Sequence, residues 1–135
     1  MTSYALSLKQ PWATLLVHGK KTIEVRTWPT DRMGRILIHA ARVSDPRTEA
    51  WLLVPPELET QARLVGGIIG AADLTGCAAY RSREAFAADR CFHLNPAEWY
   101  QEPVLYGFRF ERAEALPFRR YSGWMRFFPV EEPKR

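Results

Sequence analysis

The chain divides into six or seven short strand-like segments and two or three small helical ones, and this pattern narrows the folds open to it. Regular helices do not alternate with the strands, so a parallel sheet built from βαβ units is not indicated. The pattern predicts an α+β protein, a small and mostly antiparallel β-barrel with two to four short peripheral helices. The predicted strands are Tyr4–Leu8, Lys21–Arg26, Arg35–Ala40, Ile68–Leu74, Cys91–Leu94, Val104–Glu111 and Trp124–Val130. The predicted helices lie between Pro11 and Gly19, between Pro46 and Leu53, and over Glu57–Leu64 and Arg83–Ala88.

The length of 135 residues fits a single domain over residues 1–135, with a charged tail at 131–135 that we expect to fray. The two cysteines, Cys77 and Cys91, do not form a disulfide framework, and the three histidines lack metal-ligand spacing. We therefore expect neither a metal site nor a cofactor. The sequence has no apolar run long enough for a membrane span and no charged-then-apolar leader, so a cytoplasmic location is the default expectation.

Positive charge is concentrated in the first third of the chain. Between Lys9 and Arg47 there are eight Lys or Arg residues and three acidic ones, against a net charge of +4 overall. A basic region of this kind indicates a polyanionic partner, most often nucleic acid. The plain alternative is a solubilising surface.

The segment Gly19–Arg26 carries the most unusual chemistry. In a strand, Ile23 and Val25 would enter the core, while Glu24 and Arg26 would share the other face. Strict alternation places Lys21 on the face of Ile23, so it joins Glu24 only if the chain is irregular after Gly19. The acid and the base form either a solvated ion pair or one wall of a cleft.

Aromatic and ionisable residues near this segment have two interpretations each. Trp12 shares an apolar helical stripe with Leu15 and Leu16, which predicts a core position, although it could also stack on a base. Trp28 follows the strand and precedes a proline, so we expect it to be exposed. His39 lies in an apolar strand and is predicted to be a hydrogen-bonded core histidine.

Several segments together resemble the ASCH (activating signal cointegrator homology) domain, a member of the PUA-like superfamily. They are Ser7-Leu8-Lys9-Gln10-Pro11-Trp12-Ala13, the Gly19-x-Lys21-x-x-Glu24-x-Arg26 motif, Gly34–Ala40, Gly66–Leu74 and the stretch from Leu116 to Trp124. The resemblance covers nearly the whole chain. It implies a PUA-like β-barrel with a basic cleft that is lined by the motif residues.

The resemblance implies that this cleft binds nucleic acid, either RNA or single-stranded DNA. The residues expected to contact it are Lys9, Gln10, Trp12, Lys20, Lys21, Glu24, Arg26, Trp28, Arg119, Arg120 and Tyr121. In this interpretation Lys21 contacts a phosphate, Glu24 accepts from a cytosine amine, and the Arg119–Tyr121 loop adds phosphate contacts and stacking.

An enzymatic alternative stays open, because some small bacterial proteins that share this resemblance are amidohydrolases acting on acetylated cytidine, or ribonucleases. The hydrolase type uses a Lys, a Thr and a Glu. Lys21 matches the Lys, the Thr position falls on Glu24, and Asp73 is a candidate for the acid. The catalytic candidates are therefore Lys21, Glu24 and Asp73. A protein-interaction domain that uses exposed aromatics such as Trp99 and Tyr100 is a third alternative.

Overall fold

The structure, a computed structural model, describes residues 2–131, and the predicted frayed tail lies outside them except for Glu131. The described chain forms one curled sheet in the order β2-β5-β4-β3-β1-β6. Only β1 and β3 pair in parallel, and the other neighbours are antiparallel. The α+β class and the mostly antiparallel, barrel-like architecture are confirmed. The strands are β1 (Ser3–Leu8), β2 (Ile23–Arg26), β3 (Gly34–Ala40), β4 (Gly67–Tyr80), β5 (Leu105–Arg120) and β6 (Phe127–Val130).

Short helices surround the sheet, as the sequence predicts. The α-helices are α1 (Trp12–Val17), α2 (Thr48–Trp51), α3 (Arg83–Ala88) and α4 (Arg90–His93). The 3-10 turns are Pro56–Leu58, Gln61–Arg63 and Ala97–Trp99. The first two of these turns occupy the segment predicted as a single helix over Glu57–Leu64. No helix among residues 2–131 is long and apolar enough to cross a membrane.

Helix α1 forms the centre of the hydrophobic core. All six of its residues are buried, because it packs on β3, β4 and β5 and is covered by the turn Gln61–Arg63. The sequence predicts that one apolar stripe of this helix is buried, whereas in the structure the helix is buried on all sides. The helix also packs closely on the sheet at Gly70, where an added Cβ would lie 2.6 Å from the side chain of Val17.

The segment Cys91–Leu94 forms a helix, so the prediction of a strand there is wrong. Helix α4 covers Arg90–His93, and the backbone N–H groups of Phe92 and His93 both donate to the carbonyl of Asp89. A segment of only four residues is too short for its apolar pattern to distinguish a helix from a strand.

Strand β5 continues through Pro117 to Arg120, well beyond the predicted end at Glu111. The register between β4 and β5 shifts between the pairs Gly70–Ala115 and Ile68–Arg119. Pro117 lies inside this irregular stretch, where its missing N–H breaks no regular ladder bond. Strand β4 also extends beyond the predicted segment, whereas β6 begins three residues later than predicted.

Strands β2 and β6 are the two edges of the described sheet, and side chains close the gap between them. Trp28 packs edge-on against Phe108 of β5 and Phe127 of β6, with ring centroids 5.0 and 5.7 Å away. It is therefore half-buried rather than exposed as predicted. Arg26 of β2 donates from Nη2 to the Ser7 carbonyl of β1 over 2.7 Å. Strand β6 pairs only with residues 3–6 of β1, which leaves this carbonyl for Arg26.

Candidate functional site

A cleft of about 320 Å³ opens where β1, α1 and β2 meet the loop before α2. Five predicted site residues line it, namely Lys9, Trp12, Lys21, Glu24 and Arg26. The structure therefore brings the three charged residues of the motif into one concavity. Ser7, Val25, Asp45, Arg47 and Asn95 complete the lining.

Lys21 reaches the cleft because the chain is irregular between α1 and β2. Gly19 has φ +75°, and the N–H groups of Lys20 and Lys21 both donate to the carbonyl of Leu15. Strand β2 starts only at Ile23. Strict strand alternation therefore does not apply to Lys21, and its side chain lies on the same side as Glu24.

The Lys21 side chain is almost completely buried, with 1% of its surface exposed. Its Nζ donates to the His93 carbonyl over 2.8 Å and lies 3.5 Å from Oε1 of Glu24. It also lies 4.9 Å from the centroid of the Trp12 ring, a cation–π distance. Burial lowers the pKa of Lys21 to about 8, although the Glu24 carboxylate opposes this effect. A small neutral fraction is therefore present near neutral pH, which an exposed lysine would lack.

Glu24 connects the two cations of the motif. Its Oε2 accepts from Nε of Arg26 over 3.0 Å, while Oε1 faces Lys21. Nη2 of Arg26 donates to the Ser7 carbonyl. The carboxylate is 12% exposed, so it forms part of the floor of the cleft.

A second carboxylate and its arginine line the other side of the cleft. Asp45 is 3% exposed and accepts from Nε1 of Trp12 over 2.8 Å and from Nη2 of Arg47 over 2.7 Å. Burial by itself raises the pKa of Asp45, but the hydrogen bonds from Arg47 and Trp12 outweigh it and bring the pKa to about 2. The Arg47 guanidinium stacks on Trp99, 3.5 Å from its ring centroid.

The sequence does not predict the role of Asp45 and Arg47. Asp45 directly precedes the helix predicted between Pro46 and Leu53, but α2 begins only at Thr48 and has no side-chain cap. Thirty-three residues separate Asp45 from Trp12, so no local pattern shows the contact. The sequence signal that does include Arg47 is the excess of positive charge in the first third of the chain.

Gln10, Lys20 and Trp28 do not line this cleft. Gln10 is fully buried, its Nε2 donating to the Gln61 and Leu64 carbonyls and its Oε1 accepting from the Thr14 N–H. This side chain therefore fixes the start of α1. Lys20 is exposed on the turn after α1, and Trp28 lines a separate hollow near β6.

Asp73 and the Arg119–Tyr121 segment are also elsewhere. Asp73 accepts from Nε of Arg112 over 2.6 Å and from Nη1 of Arg35 over 3.1 Å, and these bonds lower its pKa. It is thus part of an ion-pair network on β3, β4 and β5. The Arg119–Tyr121 segment forms the end of β5 and the start of the following loop.

His39 confirms the prediction of a hydrogen-bonded core histidine. It is 2% exposed, and its two ring nitrogens contact Ser7 Oγ at 2.9 Å and the Tyr121 carbonyl at 2.7 Å. Because a carbonyl can only accept, Nε2 carries the proton and Nδ1 accepts from the Ser7 hydroxyl. The bond is possible because Ser7 and His39 are register partners on β1 and β3.

The cleft has more positive than negative groups. Lys9 and Arg47 are exposed at the rim, while Lys21 and Arg26 lie deeper, beside Glu24 and Asp45. Such a lining can hold an anion and can offer hydrogen-bond acceptors to a bound base. Within residues 2–131, no group of three His, Cys, Asp or Glu side chains could hold a metal ion.

Comparisons with known proteins agree with this architecture. The activating signal cointegrator 1 proteins of mouse (Mus musculus) and human (Homo sapiens) are each 35% identical over 82 residues, which is 55% of this chain and 14% of theirs. The crystal structure of the ASCH protein from Zymomonas mobilis superposes with a TM-score of 0.70 over 96% of this chain and 88% of that one. At 16% identity, this similarity shows a common fold. The sequence model of the ASCH domain matches residues 6–124, and the chain therefore belongs to the ASCH domain family.

Proposed function

We propose that the cleft binds a nucleotide of single-stranded nucleic acid, RNA or DNA. One observation carries the proposal: Lys21, Glu24 and Arg26 form a largely buried cluster, and the exposed cations Lys9 and Arg47 lie around the same hollow. A volume of about 320 Å³ is at the lower end of the range for small-ligand pockets and suits one nucleotide.

Each part of the lining has a distinct role in this proposal. Lys9 and Arg47 contact phosphate at the rim, where contacts are independent of sequence. Glu24 accepts from an exocyclic base amine such as that of cytosine. Trp12 forms part of the wall beside the base, held in place by its bond to Asp45.

The test compares two lysine variants that change the net charge equally. Lys9→Ala removes a cation from the rim, whereas Lys20→Ala removes an exposed lysine that does not line the cleft. Fluorescence anisotropy with labelled RNA and DNA oligonucleotides should show affinity that falls with salt. Lys9→Ala should weaken binding roughly three- to ten-fold at about 50 mM salt and reduce the salt slope by roughly 0.7 to 1.

Lys20→Ala should remain close to the wild-type protein in both measurements. Equal losses in the two variants would show that only overall charge matters and would contradict a cleft-based site. Absence of binding to any single-stranded oligonucleotide at low salt would refute the proposal as a whole.

The Lys21–Glu24 pair supports a second candidate function, hydrolysis of a modified nucleoside such as acetylated cytidine. A buried lysine with a lowered pKa beside a carboxylate 3.5 Å away is a pair able to transfer protons. Water would add to the amide carbonyl, and cleavage of the C–N bond would give acetate and cytidine. Purified protein should release both products, and Glu24→Gln should abolish release. Release at the wild-type rate by Glu24→Gln would exclude this function for the pair.

A further inference from the structure

A second and larger hollow is lined by His39, whose ring is hydrogen-bonded to Ser7 of the cleft. It has a volume of about 850 Å³, and it is bordered by the loop that joins β5 to β6. Within this loop Trp124 and Met125 are 76% and 78% exposed. The sequence predicts Trp124 as the first residue of a strand, but β6 starts at Phe127, so the loop presents Trp124 to solvent. We call this hollow the Trp124 groove.

Among residues 2–131, the charged side chains that line the Trp124 groove are all of one sign. Arg42 and Arg120 border it, both exposed, and none of these lining residues is acidic. Tyr121 and Trp124 supply aromatic rings on the same surface. An exposed indole and two exposed guanidinium groups around one hollow match a polymer that carries flat bases on an anionic backbone. A purely apolar partner would leave both arginines without a counter-charge.

The cleft and the Trp124 groove are linked by one pair of bonded side chains. Ser7 lines the cleft, His39 lines the groove, and the two side chains are joined by the 2.9 Å hydrogen bond. Their strands are neighbours in the sheet, which places the backbones only about 4.8 Å apart. Gly123 packs on the His39 ring, and an added Cβ there would lie 2.6 Å from it. The loop that carries Trp124 is thus packed on His39.

From these contacts we infer that the Trp124 groove is a second subsite for the strand whose first nucleotide occupies the cleft. This inference rests on the proposed function and extends it. A base stacks on Trp124, and Arg42 and Arg120 contact the phosphates that link it to the nucleotide in the cleft. Single-stranded oligonucleotides long enough to cover both hollows therefore bind more tightly than short ones.

The test measures binding of labelled oligonucleotides of about two and about eight nucleotides, as RNA and as DNA, to the full chain. Trp124→Ala should weaken binding of the longer strand by roughly 5- to 100-fold and leave the dinucleotide unchanged. Trp124→Phe, which keeps an aromatic ring, should recover most of the affinity. An oligonucleotide of about eight nucleotides that contains abasic sites should bind the wild-type and Trp124→Ala proteins equally.

A control variant removes an exposed apolar side chain elsewhere. Leu52→Ala, at a position that is 79% exposed, should bind both lengths as the wild-type protein does. Equal affinity of wild-type and Trp124→Ala proteins for the longer strand would overturn the second subsite, even where Lys9→Ala shows that the cleft binds. Equal losses in Trp124→Phe and Trp124→Ala, or a loss with the abasic strand, would overturn base stacking. If the wild-type protein binds no oligonucleotide, the proposed function and this inference both fail.

Discussion

Lys21 shows how a small backbone irregularity determines the chemistry of a side chain. Gly19 turns the chain after α1, and the following residues reach β2 without strand alternation. The ammonium group is thereby placed inside the protein, against Glu24, Trp12 and the His93 carbonyl. Burying an ammonium costs free energy, which these three contacts offset only in part, because the pKa is still lowered.

The lowered pKa of Lys21 predicts how stability changes with pH. The folded protein holds this proton less tightly than the unfolded chain, with a pKa of about 8 against 10.5. The unfolded state therefore binds more protons between these values, and stability rises with pH across this window. The free energy of unfolding of the wild-type protein, relative to Lys21→Met, should increase by up to about 3 kcal/mol from pH 8 to pH 10.5.

Urea unfolding at several pH values measures this difference. The comparison with Lys21→Met removes the contributions of other groups, including Tyr80, whose pKa is raised by burial and by its bond to Asp89. Lys20→Met is the matched control, because it removes a neighbouring lysine that is exposed. A constant difference for Lys21→Met would mean that the buried amine titrates as an exposed one does.

At the scale of secondary structure, the pairing of β4 and β5 is the framework that holds α1. Both strands are long, and their register shifts at three places, which allows the sheet to curl around the helix. Gly70 lies at one of these shifts. A Cβ there would lie 2.5 Å from the Glu114 carbonyl of β5. The backbone of β5 and the side chain of α1 therefore both require a glycine at this position.

Substitution of two glycines on β4 tests this close approach. Gly70→Ala forces the Glu114 carbonyl or Val17 to move, and it should destabilise the protein by about 1–3 kcal/mol in urea unfolding. Gly76→Ala is the control on the same strand, because the nearest atom to its Cβ would be 3.5 Å away, on the Arg109 side chain. It should change the free energy of unfolding by less than about 0.5 kcal/mol. Equal effects would show that only the loss of glycine flexibility in a strand matters.

At the scale of the whole molecule, two pairs of carboxylates lie in separate regions. Glu24 and Asp45 line the cleft, whereas Asp73 and Glu114 accept bonds from Arg35 on the β3–β4–β5 surface. Asp73, a catalytic candidate from the sequence, is therefore in the second region. Its arginine partners, Arg35 and Arg112, neutralise it there.

This separation predicts different effects for two matched substitutions. Asp73→Asn should change oligonucleotide affinity and any nucleoside hydrolysis by less than about two-fold, because the sites share no side chains. Glu24→Gln should lower both, since it removes the carboxylate between Lys21 and Arg26. Fluorescence anisotropy measures the oligonucleotide affinity of the two variants, and product release measures their hydrolysis of the nucleoside. A large loss of binding or hydrolysis in Asp73→Asn would show that Asp73 does take part in the functional site.

The sequence predicts the parts of this molecule that depend on neighbouring residues. The strand alternation of Ile23–Arg26 and the helix from Trp12 follow from local period, and the ASCH resemblance identifies the cleft at that junction. The contacts of Asp45 depend on chain segments that are distant in sequence. The helix at Arg90–His93 and the continuation of β5 through Pro117 depend on packing and register shifts, which periodicity does not encode.

The gap between the two sheet edges has a consequence for which molecules the protein can admit. The Trp28 ring reaches Phe127 of β6, the Arg26 guanidinium reaches Ser7 of the neighbouring β1, and no backbone ladder among residues 2–131 joins β2 to β6. Side-chain rotamers exchange far faster than strands separate. The mouth of the cleft beside Arg26 can therefore change width while the strands stay paired, and under the proposed function this would let it accept either a pyrimidine or a purine base.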